Sequence, residues 1–242
     1  AAFIAAFIDA IAGGGGLITI PALLMTGMPP AMALGTNKLQ AFGGALSASI
    51  YFLRKRAVNL SEFSFILLVI FIGSVIGTLL IQNLDASLIK KGLPFLILAI
   101  GLYFLFTPKL GENDRKQRIS YGVFALCFGS LLGFYDGFFG PGTGSLMNLA
   151  CVTLLGFNLT KATAHAKVMN LTSNFASLIF FFIGGHVIWT VGLVMMAGSL
   201  IGANLGAQMV MAKGKQLIRP MVVIMSFIMT IKMAYDQGWF HF

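Results

Sequence analysis

The stretch FIDAIAGGGGLITIP, residues 7–21, sets an acidic residue, Asp9, and four consecutive glycines, Gly13, Gly14, Gly15 and Gly16, inside an otherwise apolar run. The rest of the chain marks that run as membrane helix. Of 242 residues, 58% are hydrophobic and 10% charged, whereas soluble domains carry about 25% charged residues. Mean hydropathy is +0.92. Runs such as FSFILLVIFIGSVIGTLLI, residues 63–81, are long enough to cross a hydrocarbon core of ~30 Å. The fold class expected is an all-α polytopic membrane protein, with the lipid bilayer as its standing partner. Because residue 1 already lies in an apolar run, the first segment is expected to begin ahead of it.

The net charge of +9 does not point to nucleic acid. Basic residues in short cytoplasmic loops fix membrane topology and account for it. Cys127 and Cys151 lie in apolar segments without metal-ligand spacing. The three histidines are dispersed, so neither a metal site nor a cofactor is expected. No catalytic constellation appears. Ser145 or Ser173 with His165 could be imagined as an intramembrane hydrolase, but no spacing supports it, and the chain is read as a non-enzyme.

A second stretch, GFYDGFFGPGTGS at 133–145, echoes the first. Asp136 stands opposite Asp9, and Gly140 opposite Gly13. After a two-residue insertion, GMPPAMALGTNKLQA (27–41) aligns with GFNLTKATAHAKVMN (156–170), which sets Lys38 opposite Lys167 and Thr36 opposite His165. GSVIG (73–77) then matches GSLIG (198–202), and Pro94 matches Pro220. The chain therefore reads as two copies of one unit: residues 1–107, a polar cytoplasmic linker at 108–118, and residues 119–242. Such duplication is common in transporters.

Residues 119–156 as one helix would extend ~57 Å, so the chain must turn at GPGTG (140–144). That gives five segments in the second copy, at about 119–139, 144–156, 161–183, 188–210 and 216–235. The first copy follows the same plan, and its short segment falls at 17–27. With this count, eleven basic residues fall on one side, from Arg54 to Arg219, and only Lys90 and Lys91 on the other. That asymmetry favours five segments per copy, and an odd number inverts the second copy. The short segments can span or re-enter.

Short helices beside glycine-rich breaks point to a binding site in inverted-repeat transporters. Helix N-termini favour anions, and glycine lets backbone approach a ligand closely. Intramembrane cations are costly and mark a site or a buried pair. The expected anion-binding set is Gly13, Gly14, Gly15, Gly16, Asn37, Lys38 and Gln40 from the first copy. From the second it is Gly140, Gly142, Thr143, Gly144, His165, Lys167 and Asn170. Asp9 and Asp136 are expected either to couple protons or to balance the lysine charges.

AFIDAIAGGGGLITIPAL, GTNKLQAFGG, GFYDGFFGPGTGS and KATAHAKVMNLTSN together resemble the sulfite exporter TauE/SafE family over nearly the whole chain. The resemblance implies a secondary transporter of the bacterial inner membrane. It also implies a substrate that is a small sulfur-containing anion such as sulfite or an organosulfonate. Export is the expected direction; a proton-coupled importer and an anion channel are the alternatives.

Overall fold

The computed structural model describes residues 1–83, 98, 102, 105–106 and 111–236. The fifth segment of the first copy, with Lys90, Lys91 and Pro94, lies outside the described residues. Among the described residues all regular structure is helical.

The first copy gives α1 (Ala2–Ala12), α2 (Gly16–Leu24), α3 (Pro30–Arg54) and α4 (Leu60–Ile81). The second gives α5 (Tyr121–Phe138), α6 (Thr143–Leu154), α7 (Leu159–Ile183), α8 (Trp189–Lys213) and α9 (Lys215–Asp236). Helix α5 is π-helical over Phe124–Gly129. The order long or truncated, short, long, long therefore occurs twice, with ends close to those expected from sequence.

Local chemistry sets these ends. Pro30 opens α3, where its missing N–H costs nothing. Asn158 caps α7 by accepting from Lys161 N at 2.9 Å. Gly13 ends α1 at φ +77°, a left-handed conformation that glycine adopts without penalty. At nine and twelve residues, α2 and α6 reach only ~14–18 Å and stop within the bilayer thickness.

Helices α4, α5, α7 and α8 are each long and apolar enough to cross a membrane. On α4, Leu68, Ile72, Ile76 and Leu79 are exposed, while Ile66, Ile70, Ser74 and Thr78 are buried. The outer stripe is apolar and the inner one carries hydroxyls, which suits a helix with lipid on one side and protein on the other.

Helices approach through small residues. A Cβ added to Gly73 would meet Ser130 O at 2.5 Å, and one on Gly77 would meet Phe138 N at 2.7 Å. One on Gly206 would meet Phe7 O at 2.6 Å, and one on Gly202 the Phe3 carbonyl carbon at 3.0 Å. These contacts pack α4 on α5 and α1 on α8, so the fourth helix of each copy lies against the first helix of the other. Contact order also gives direction. Helix α1 runs with α8 through these glycines, and α3 runs with α8 through Gly43 on Met196 and Ser47 on the Leu200 carbonyl. Helix α4 runs with α5, and it runs with α7 from Phe63–His165 through Phe71–Phe175 to Gln82 at the Phe180 carbonyl. Helices α3 and α4 are joined by the short 55–59 turn and run opposite ways.

The basic loops gather at one end. Leu159 N donates to Gly111 O at 2.9 Å, Arg115 N to Gly156 O at 2.7 Å and Arg118 N to Leu154 O at 2.9 Å. Lys215 pairs with Glu112, and Lys161 reaches Asp114 at 3.9 Å. Phe63, just past the 55–59 turn, packs on both Tyr121 and Phe157. From Gly111 onward, the stretch between the copies is thus docked on the loops of the second copy.

Candidate functional site

The two glycine breaks meet. Gly15 folds back beside α1, its N–H donating to Asp9 Oδ1 at 2.9 Å. In the second break Tyr135 Oη donates to Pro141 O at 2.6 Å and Thr143 Oγ1 to Gly140 O at 2.6 Å, which holds the turn. Gly140 and Gly142 take φ +91° and +80°. Gly13 lies against Gly144, and Ser145 donates from both N and Oγ to the Gly13 carbonyl, each at 3.3 Å. The Ser145 hydroxyl also donates to Ala12 O.

The long helices bring the charged residues to this junction, and the pairing crosses between copies. Lys38 Nζ of α3 lies 3.3 Å from Asp136 Oδ1 and donates to the Asp136 carbonyl at 2.5 Å. Lys167 Nζ of α7 lies 2.6 Å from Asp9 Oδ2. Ser173 Oγ donates to the second oxygen of Asp136. The first pair is sealed, with side chains 3% exposed on both sides, whereas Asp9 is 27% exposed. Removing one member of a buried pair leaves an uncompensated charge, so each pair also braces the contact between copies.

A cavity of about 30 Å³ lies at the junction. Asp9, Gly13, Gly15 and Gly16 line it from the first break, and Asp136, Gly140, Gly142 and Gly144 from the second. Asn37, Lys38 and Gln40 line it from α3, and Asn170 and Asn174 from α7. Asn37 Oδ1 accepts from Thr19 at 2.5 Å, and Gln40 Nε2 donates to Ser199 Oγ at 2.5 Å, so both amides are held by neighbours. The space suits about one water.

Most of the sequence-derived set converges here, and some of it does not. Lys167 stands behind Asp9 rather than on the cavity wall. Gly14 and Thr143 lie in the breaks but outside the lining. His165 points elsewhere: its ring packs on Phe63 and Phe157, each at 4.6 Å, and Nδ1 meets the Lys161 carbonyl at 2.8 Å. Neither Ser145 nor Ser173 bonds His165; their partners are the Ala12 and Gly13 carbonyls, and Asp136 with the Asn170 carbonyl. Asn174, a polar neighbour of Lys167 in the sequence, also lines the cavity, following Lys167 and Asn170 at steps of three and four along one face of α7. Gly44 lines it too, and a glycine inside a long apolar helix carries no sequence signal of its own. Among the described residues there is no cluster of His, Cys, Asp or Glu able to hold a metal.

The profile of the family described as sulfite exporter TauE/SafE matches residues 1–233. A probable membrane transporter protein of Haemophilus influenzae is 77% identical over 240 residues, covering 99% of this chain and 94% of that protein. The probable membrane transporter protein YfcA of Escherichia coli K12 is 56% identical over 237 residues, covering 98% and 88%. YunE of Bacillus subtilis, also a probable membrane transporter protein, is 24% identical over 246 residues, covering 90% and 88%. No solved structure matches the chain. With four helices able to span the membrane among the described residues, it is a multi-pass protein of the bacterial inner membrane. The chain belongs to the sulfite exporter TauE/SafE family of membrane transporters.

Proposed function

We propose that the protein is a secondary transporter of a small anion, a sulfur-containing oxyanion or an organosulfonate, and that it acts as an exporter. The observation that carries this reading is the cavity where two glycine breaks converge beside Lys38, lined by the amides of Asn37, Gln40, Asn170 and Asn174. Ammonium and amide donors in a low-dielectric space suit a compact anion. The family's name supports a sulfur oxyanion and outward movement. We read the two copies as inverted, so that each break enters the membrane from its own side. The opposed directions of α1, α3 and α8 against α4, α5 and α7 support this.

A second reading, proton-coupled uptake of the same anion, is favoured by the ion pairs. Each lysine is already neutralised by a carboxylate, so an anion must either displace that carboxylate or arrive as it takes up a proton. The second course keeps the site electrically balanced and ties anion binding to a proton.

The test is counterflow in proteoliposomes with labelled sulfite. Unlabelled sulfite on the far side should accelerate label movement if the protein is a carrier. Uptake that is indifferent to trans sulfite would indicate a channel, and no movement of either sulfite or a labelled organosulfonate with a folded protein would refute the substrate class.

A further inference from the structure

Along α7, Thr163, Lys167, Asn170 and Asn174 recur at steps of four, three and four, which places them on one helix face. All four are buried. Asn170 and Asn174 reach the cavity. Thr163 lies one turn from the start of α7, at the end of the molecule where the basic loops gather. Beside it stands Asn148 of α6, 3% exposed, whose Nδ2 donates to Thr163 Oγ1 at 2.6 Å. Thr163 in turn donates to the Leu159 carbonyl at 2.8 Å. The Oδ1 of Asn148 finds no hydrogen-bond partner among the described residues.

A buried amide oxygen without a partner is destabilising, and a water donating to it removes that cost. The equivalent positions of the first copy differ. Leu34, Ala41 and Ala45 occupy the positions of Thr163, Asn170 and Asn174. Thr19 occupies that of Asn148, and its hydroxyl is already engaged by Asn37 and the Gly15 carbonyl. Toward the basic end, the polar strip thus belongs to α7 and α6 of the second copy.

Lys167 interrupts the strip, and its partner Asp9 is the less buried of the two acids. The other charged or titratable groups near Asp9 are Lys38 of α3 and Asp136 across the cavity. His165 is turned into its aromatic pair and Cys151 against Met169. Lys161, Lys213, Lys215 and Arg219 belong to the basic end. From these placements we propose that Asn148 and Thr163 hold a short water file through which Asp9 exchanges protons with the basic end of the protein. A hydronium entering there gives its proton to the Asp9 carboxylate, leaving water and a neutral carboxylic acid. Lys167 then keeps its charge without a partner and is free to face an anion. The proposal rests on the anion-transport reading for its purpose and for its transport test, but not for its density test.

Two experiments judge it. A high-resolution map of the intact protein in lipid nanodiscs should show water on Asn148 Oδ1. A dry site would overturn the proposal whatever the protein carries. In proteoliposomes with a trapped pH dye, Asn148→Leu and Thr163→Val should slow sulfite-linked proton movement about tenfold, while sulfite exchange without a pH gradient stays at the parental rate. Asn148→Ser, smaller but polar, should retain proton movement and guards against a simple folding defect. Parental proton movement in both apolar variants would refute the route. If the parent itself moves no sulfite, the substrate reading fails and the map alone decides the water file.

Discussion

Gly13 and Gly144 share one small volume: a Cβ built on either would lie 2.6 Å from the other's Cα. This is where the two halves of the chain touch backbone to backbone in the middle of the protein, and neither position has room for any side chain. Gly13 is doubly constrained, because its φ of +77° also disfavours every other residue.

Gly13→Ala should therefore destabilise the protein by about 2 kcal/mol or more, and Gly144→Ala by a similar amount from the clash alone. Gly27→Ala, with φ +81° but open space around it, isolates backbone strain and should cost about 1 kcal/mol. Gly14→Ala, which meets only Leu17 Cδ1 at 4.0 Å, should be tolerated. Thermal unfolding in detergent ranks the four. Equal stability of Gly13→Ala and Gly14→Ala would contradict the contact.

The two cross-copy ion pairs should respond unequally. Lys38→Gln strands Asp136 in a sealed site and should cost about 3–5 kcal/mol. Adding Asp136→Asn should recover most of that stability without restoring transport. Lys167→Gln should cost less, because Asp9 is partly exposed. Folded yield and unfolding temperature of the three variants check the order, and a Lys38→Gln variant as stable as the parent would show that the pair is not closed.

Asp9→Asn should abolish anion movement driven by a pH gradient while leaving anion exchange within about threefold of the parent, since a neutral amide keeps the Gly15 N–H acceptor but cannot take a proton. Transport by matched amounts of folded variant decides this. Survival of both activities would reduce Asp9 to a structural counter-charge.

Single cysteines at Ala57, in the α3–α4 turn, and at Asn113, between the copies, should both react with membrane-impermeant reagents only from the cytoplasmic side. Both loops lie at the basic end, and positive charge is retained in the cytoplasm. Labelling of either from outside would overturn the topology.

Composition and pattern were enough to determine that this chain is a helical membrane protein, broken by glycines after an aspartate in each half and carrying one intramembrane lysine on the helix that follows. These properties are local. They follow from apolar run length, from the inability of one helix to hold 38 residues within a bilayer, and from glycine clusters that cannot continue a helix cheaply. Sequence also placed a carboxylate and an ammonium in each half, but left their partners open. Only the tertiary structure decided that Lys38 takes Asp136 and Lys167 takes Asp9. It likewise turned His165 away from the site and brought Asn174 and Gly44 to it. Residues 98 and 158 positions apart become neighbours because glycine-faced helices of opposite copies pack at backbone distance. Which side chains then share a cavity depends on how those helices cross, a relation that spacing along one chain does not encode.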